Sequence, residues 1–238
     1  MNFKNFALAA GLFFLIASNA PAESLSVAGN ANIFSAGHGS PPGGPGQGQL
    51  APFVSFAPAT FSTLTFSSVT GSVTVNGFTH LNNPDGVGAE PAFSGTTSFN
   101  GISGITAPHA GYLVGVFLTN AEPTDPPPAI LDFTVIGTDF TTLSPLINQT
   151  FFIGDGLTGD GSGAQQQFVI PATATRLFLG ISDAPSYLGN PGGFDDNGGS
   201  FNANFAFVPE PSVIALQIVG AAAFLFCRSR RTRRTTTR

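Results

Sequence analysis

Phe201-Asn202-Ala203-Asn204-Phe205-Ala206-Phe207 sets Phe201, Ala203, Phe205 and Phe207 against Asn202, Asn204 and Ala206. Successive side chains of a β-strand point to opposite faces, so this period of two predicts a strand with one face in a core. Leu177, Leu179 and Ile181 repeat the pattern, as do Leu131, Phe133 and Val135. Further strand candidates are 25–28, 52–56, 61–67, 72–75, 112–118, 149–153 and 166–170, separated by Gly, Pro, Asn and Asp. Away from the termini no stretch carries a useful helical period. The expected class is all-β, an antiparallel, jelly-roll-like β-sandwich.

Residues 23–208 form the expected domain, long enough to bury a single core. The chain's 30 glycines and 19 prolines would suit disorder in a hydrophilic sequence, but 25 phenylalanines argue for a packed interior. The only cysteine, Cys227, lies beyond this segment, so no disulfide can staple it. Arg176 is its sole Lys or Arg, against twelve acidic residues, which makes nucleic acid and anionic lipid poor partners. Surplus carboxylates without a disulfide suit a hard cation such as calcium, which stabilises a fold if it binds only the folded state.

The termini read as addresses. Lys4, the apolar run 6–17 and Ala20-Pro21-Ala22 have the layout of a secretory signal peptide over 1–22, to be removed by signal peptidase. At the other end stand Val208-Pro209-Glu210-Pro211, an apolar run from Val213 to Cys227, and Arg228, Arg230, Arg231, Arg233, Arg234 and Arg238. Proline breaks both strand and helix, so the domain ends here, and the arginines predict a cytoplasmic tail. Residues 212–227 as a helix reach roughly 24 Å, short of a roughly 30 Å hydrocarbon core.

This tripartite tail, 209–238, resembles the PEP-CTERM sorting signal. The resemblance implies that an exosortase recognises Pro209, Glu210 and Pro211 and removes the transmembrane sorting helix and the basic tail. It implies an inner-membrane intermediate, then delivery to the cell surface or extracellular matrix of a Gram-negative-type bacterium. An ordinary single-span anchor behind a proline-rich turn is the alternative.

The densest polar cluster lies in Ile181-Ser182-Asp183-Ala184-Pro185 and Phe194-Asp195-Asp196-Asn197-Gly198-Gly199-Ser200-Phe201. Calcium takes six to eight oxygens from carboxylates, amides, backbone carbonyls and water, and Asp183, Asp196 and Asn197 could supply several. The alternative is that these residues only cap tight turns. Together with Phe168-Val169-Ile170-Pro171, Arg176-Leu177-Phe178-Leu179-Gly180, Leu113-Val114-Gly115-Val116, Ile153-Gly154-Asp155-Gly156 and the segment 27–34, this pattern resembles the calcium-dependent, galactose-binding PA-IL-like lectins. These are small β-sandwiches.

The resemblance implies side-chain metal ligands at Asp183, Asp196 and Asn197. It implies backbone carbonyls from Gly193 and from Ile33 or Phe34, and sugar hydroxyls completing the shell. Asp183 and Asn197 would then also touch the sugar, and His109 stands near the family's sugar-contacting histidine, without the accompanying glutamine; an exposed loop histidine is the alternative. Asp155 and Asp160, in Gly154-Asp155-Gly156-Leu157-Thr158-Gly159-Asp160-Gly161, fit a calcium loop or a hairpin turn equally, and EF-hand spacing is absent. Ser40 to Gln49, SPPGGPGQGQ, reads as a flexible connector.

No cysteine nucleophile, no lysine and no zinc spacing among His38, His80 and His109 support catalysis in the domain. The leading expectation is an exported calcium-dependent glycan-binding protein acting on exopolysaccharide or a neighbouring glycan. The competing one is a structural surface or matrix protein with no particular sugar. Only about eleven residues separate Asn197 from Val208, so a tail-held protein is expected to carry the site on the strand nearest its membrane attachment, with its reach limited by that short tether.

Overall fold

A computed structural model describes residues 22–41, 46–75, 77, 81–88 and 93–209. Residues 1–21 of the expected signal peptide, the sorting helix, and Glu210, Pro211, Arg228, Arg230 and Arg231 of the sorting signal fall outside these. Among the described residues no helix is long and apolar enough to cross a membrane.

The strands in chain order are β1 Ala22–Ala28, β2 Ala31–Asn32, β3 Gln49–Leu50, β4 Phe53–Ser55, β5 Phe61–Thr74, β6 Ser94–Thr96, β7 Ile105–Ala107 and β8 Leu113–Leu118. They continue as β9 Leu131–Asp132, β10 Thr142–Leu143, β11 Thr150–Phe152, β12 Leu157–Gly159, β13 Ser162–Gln165, β14 Gln167–Val169, β15 Arg176–Ile181, β16 Leu188–Gly189 and β17 Gly198–Pro209. The described residues are all-β in character, with one helical turn, α1 Phe133–Ile136, and three short 3₁₀ turns.

One sheet runs β1-β17-β5-β14-β10, and a second runs β11-β8-β15-β2-β3 with β4 also on β15. Their facing sides share one core: Val27, Leu64, Phe66, Phe168, Phe201 and Phe205 from the first meet Leu113, Phe117, Phe151, Leu177 and Leu179 from the second. The second sheet is buried on its other side as well. Val114, Val116, Leu118 and Phe178 pack there against Phe34, Ile105, Tyr112, Phe133 and Phe194. This explains why Leu113-Val114-Gly115-Val116-Phe117-Leu118 is apolar without alternation, as a strand covered on both faces must be. A small sheet, β16-β6-β7-β9, contributes to this outer layer.

The sheets are mixed, which corrects the expected antiparallel arrangement. The long ladders β17 with β5, β1 with β17 and β15 with β8 are antiparallel, but β2 pairs parallel with β15 and β3, and so do β10 with β14, β7 with β9 and β16 with β6. Apart from β15, the parallel partners are strands of two or three residues, several reached by long irregular connections that reverse the chain before it pairs.

Two expected strands, 61–67 and 72–75, are one. In β5, Leu64 and Phe66 face the core and so do Val69 and Val73, an even-to-odd switch of phase. The register explains it: Asn204 pairs with Ser68 and Phe205 with Phe66, so Ser67 bulges out and resets the alternation. The expected strand through Leu131, Phe133 and Val135 stops at Asp132. The Asp132 carboxylate accepts from Thr134 N at 2.9 Å and caps α1, leaving Phe133 buried and Val135 82% exposed.

Aromatic rings carry much of the core. Phe168 is fully buried and touches Phe66, Phe140 and Phe151 with ring centroids 5.8, 5.8 and 5.2 Å away. Phe168→Ala is expected to cost about 3–5 kcal/mol by denaturant unfolding. Phe53→Ala, at a half-exposed ring stacked on Phe178, should cost far less; equal losses would show that Phe168 is no keystone.

Candidate functional site

Four chain segments meet where β15 ends and β17 begins. Asp183 follows β15, Asn197 precedes β17, Gly29 follows β1, and Gly46–Gly48 precedes β3. Both Asp183 and Asn197 are buried, 6% and 9% exposed. Asn197 Nδ2 donates to Asp183 Oδ2 at 2.9 Å and to the Gly29 carbonyl at 3.2 Å, and Ala184 N donates to Asp183 Oδ1 at 2.8 Å. Glycine is required at 29, because a Cβ there would stand 2.2 Å from the Gly198 carbonyl oxygen. That close approach delivers the Gly29 carbonyl to Asn197.

Burial pushes Asp183 up to about 7; the hydrogen bonds from Asn197 and Ala184 oppose this, and the nearby Asp196 charge adds to it. Asp196 itself is exposed, and its backbone carbonyl accepts from Gly77 N at 3.1 Å. Among the described residues no cationic side chain answers these carboxylates: Arg176, at the opposite end of β15, spends its guanidinium on the carbonyls of Thr119 and Ala121. Beneath the site lies Tyr112, fully buried, its hydroxyl raised by burial first and then also by Asp183.

The structure therefore brings together Asp183 and Asn197, with the exposed Asp196 near enough for its charge to raise Asp183 and with Gly193 close by: a Cβ on Gly193 would be 3.8 Å from Asp183 Oδ2. Ile33 is placed otherwise. It is fully buried in a 3₁₀ turn, and its carbonyl accepts from Ala36 N at 3.0 Å. The backbone oxygen from the N-terminal segment that does reach Asn197 belongs to Gly29. His109 sits in the turn before β8, its carbonyl accepting from Ser94 Oγ and its Cβ against Gly86. Asp195 turns away from Asp183 and accepts from Gly46 N and Gly48 N, at 2.9 Å each.

Residues 46–49 are thus no flexible connector. Gly46 O also accepts from Phe194 N, Gln47 O from Asn32 Nδ2, and Asn30 O from Gln49 N. The sequence hid this because a Gly/Pro tract has no side chains to announce its backbone partners.

A second acidic group surrounds the hairpin β12–β13. Asp85 Oδ1 accepts from Asp155 N, Asp155 accepts from Leu157 N and Gly161 N, and Asp160 Oδ1 accepts from Asn83 Nδ2 at 2.6 Å. Burial first, then the charge of Asp155, raises Asp85 to about 7. Asp155 thus serves as the capping residue of a turn. Among the described residues no set of three or more His, Cys, Asp or Glu side chains is arranged to hold a metal.

The strand β17 starts beside the site and ends at Pro209. Ala28 pairs with Ser200 beside the site, whereas Ala22 pairs with Ala206 close to Pro209. Twelve extended residues separate the ends of β17, roughly 35 Å.

A carboxyl with a raised folded-state value holds its proton more tightly when folded than when unfolded. Stability from Asp183 and Asp85 is therefore highest near pH 4 and falls as pH rises toward 7. In EDTA, the melting temperature of Asp183→Asn relative to the unsubstituted protein should rise between pH 5 and 8, and Asp85→Asn should behave likewise. A difference independent of pH would count against buried, uncompensated carboxylates.

The chain matches no protein-family model, and it shows no significant similarity to curated proteins or to solved structures. Function is read from the residues and their placement alone.

Proposed function

We propose that this is an exported, non-enzymatic, calcium-dependent carbohydrate-binding protein with a lectin-like, jelly-roll-like sandwich, sorted through its PEP-CTERM-like tail by an exosortase to the cell surface or exopolysaccharide matrix. The observation that carries the reading is the meeting of the buried Asp183 carboxylate, the Asn197 amide and the Gly29 carbonyl in one site, with the charge of Asp196 felt there and, among the described residues, no cationic side chain. These are oxygen donors of the kind a hard cation takes.

The fit requires one movement. Asn197 presents its nitrogen to Asp183 and Gly29, so ligation through its oxygen needs the amide to turn over. Asp183 would supply a buried carboxylate held in place by Ala184 N, and the exposed Asp196, next to Asn197, would supply a second. When bound, calcium would neutralise both carboxylates and accept vicinal sugar hydroxyls as further oxygen ligands. Two carboxylates and neutral oxygens place the affinity in the weak range of extracellular modules, with Kd about 10⁻⁴–10⁻³ M.

The second reading is a matrix protein that binds no particular sugar. It is favoured by the same Asn197 geometry, since the amide nitrogen bridging Asp183 and Gly29 forms a closed network by itself.

Calorimetric titration at pH 8 is expected to show calcium binding that weakens toward pH 6, because protons compete for Asp183. Asp183→Asn should abolish it. A glycan array with calcium and with EDTA separates the readings: calcium-dependent, selective hits support the lectin, and a blank array with calcium bound supports the scaffold. No calcium binding by the unsubstituted protein sinks the metal proposal.

A further inference from the structure

We infer that Asp195 is a positioning residue for the proposed cation and glycan site, acting through the backbone of Gly46–Gly48; this rests on the reading of Asp183, Asp196 and Asn197 given above. The segment 46–49 is wedged between the two stretches that supply site groups. On one side it is bound to Asn30 and Asn32, through Gln49 N to Asn30 O at 2.9 Å, Gln49 Nε2 to Asn30 Oδ1 at 2.8 Å and Asn32 Nδ2 to Gln47 O at 2.9 Å. On the other it is bound to Phe194 and Asp195, through Phe194 N to Gly46 O at 2.8 Å and both Asp195 carboxylate oxygens.

Asn30 follows the residue whose carbonyl reaches Asn197, and Asp195 precedes Asp196 and Asn197. The wedge therefore sets the spacing between the Gly29 carbonyl and the 196–197 pair. Its thickness is minimal by construction. Gly48 has φ +67°, and a Cβ there would stand 2.3 Å from Asn30 O and 2.6 Å from Phe194 Cβ; Gly46 has φ +76° and lies 3.4 Å, Cβ position to nitrogen, from Gly193. A side chain at either glycine would pry the two walls apart. Asp195 is the one charged side chain in this contact, and an ionised carboxylate accepting two backbone N–H groups makes a stronger clamp than neutral partners would.

Groups that orient ligands without touching the metal govern affinity by about 10–100-fold when removed. The test uses the full chain with Asp195→Ala, Asp195→Asn and Gly48→Ala, reading calcium affinity by calorimetry well below the melting temperature and amide exchange at Gly46 and Gly48 by NMR in EDTA. Asp195→Ala should speed exchange at both amides and weaken calcium by about tenfold or more, with Asp195→Asn intermediate because one oxygen remains. Gly48→Ala should weaken calcium while Asp195 is intact. A residue that only stabilises the fold would lower the melting temperature and leave the affinity of the folded protein unchanged, and that result overturns the inference. Faster exchange with unchanged calcium affinity overturns it too. Absence of calcium binding by the unsubstituted chain is a different failure, that of the site itself.

Discussion

The double pairing of β17 is the constraint from which the rest of the molecule follows. It is paired with β5 from Gly198 to Pro209 on one side and with β1 from Ser200 to Ala206 on the other. Its odd-numbered residues Phe201, Ala203, Phe205 and Phe207 are buried in the shared core. A strand so placed cannot slip by one residue without carrying four core side chains to the solvent face. The bulge at Ser67 belongs to this lock, because it lets β5 keep its apolar residues inward on both sides of the break.

A domain without a disulfide needs another source of rigidity, and here it is layered packing. The second sheet is sealed on both faces, by the first sheet and by the loops and short strands around Phe34, Tyr112 and Phe133. Covering a sheet twice makes β8 and β15 the interior of the protein rather than one wall of it. Polar side chains then act as local ties, such as Gln149 joining Leu146 N to Ala129 O and Gln166 joining the carbonyls of Thr138 and Phe140.

Much of this was legible in the sequence. Alternation located β15 and β17, and the unbroken apolar run located β8. What stayed hidden depends on contacts between distant segments. The phase switch in β5 looked like a gap between two strands, and the Asp132 cap turned an apparent third alternation into a helical turn. The pairing of Asp183 with Asn197 was accessible through the resemblance to lectins, whose metal ligands fall at these positions. Gly29 was not, since a carbonyl is common to all residues and only the approach of Gly198 makes this one special. Asp195 was given no role beside Asp196, because nothing in a sequence shows that its carboxylate reaches the backbone of Gly46 and Gly48.

The position of Asn197 and Pro209 at the two ends of one uninterrupted strand has a mechanical meaning. Tension applied between the site and the C-terminal end of the domain runs along the covalent backbone of β17. It does not have to cross hydrogen bonds from strand to strand. The flanking ladders of β1 and β5 would be spectators to such a load and would keep the core closed while the strand is taut. Held at one pole and pulled at the other, the domain would carry the load in the middle of its largest ladder.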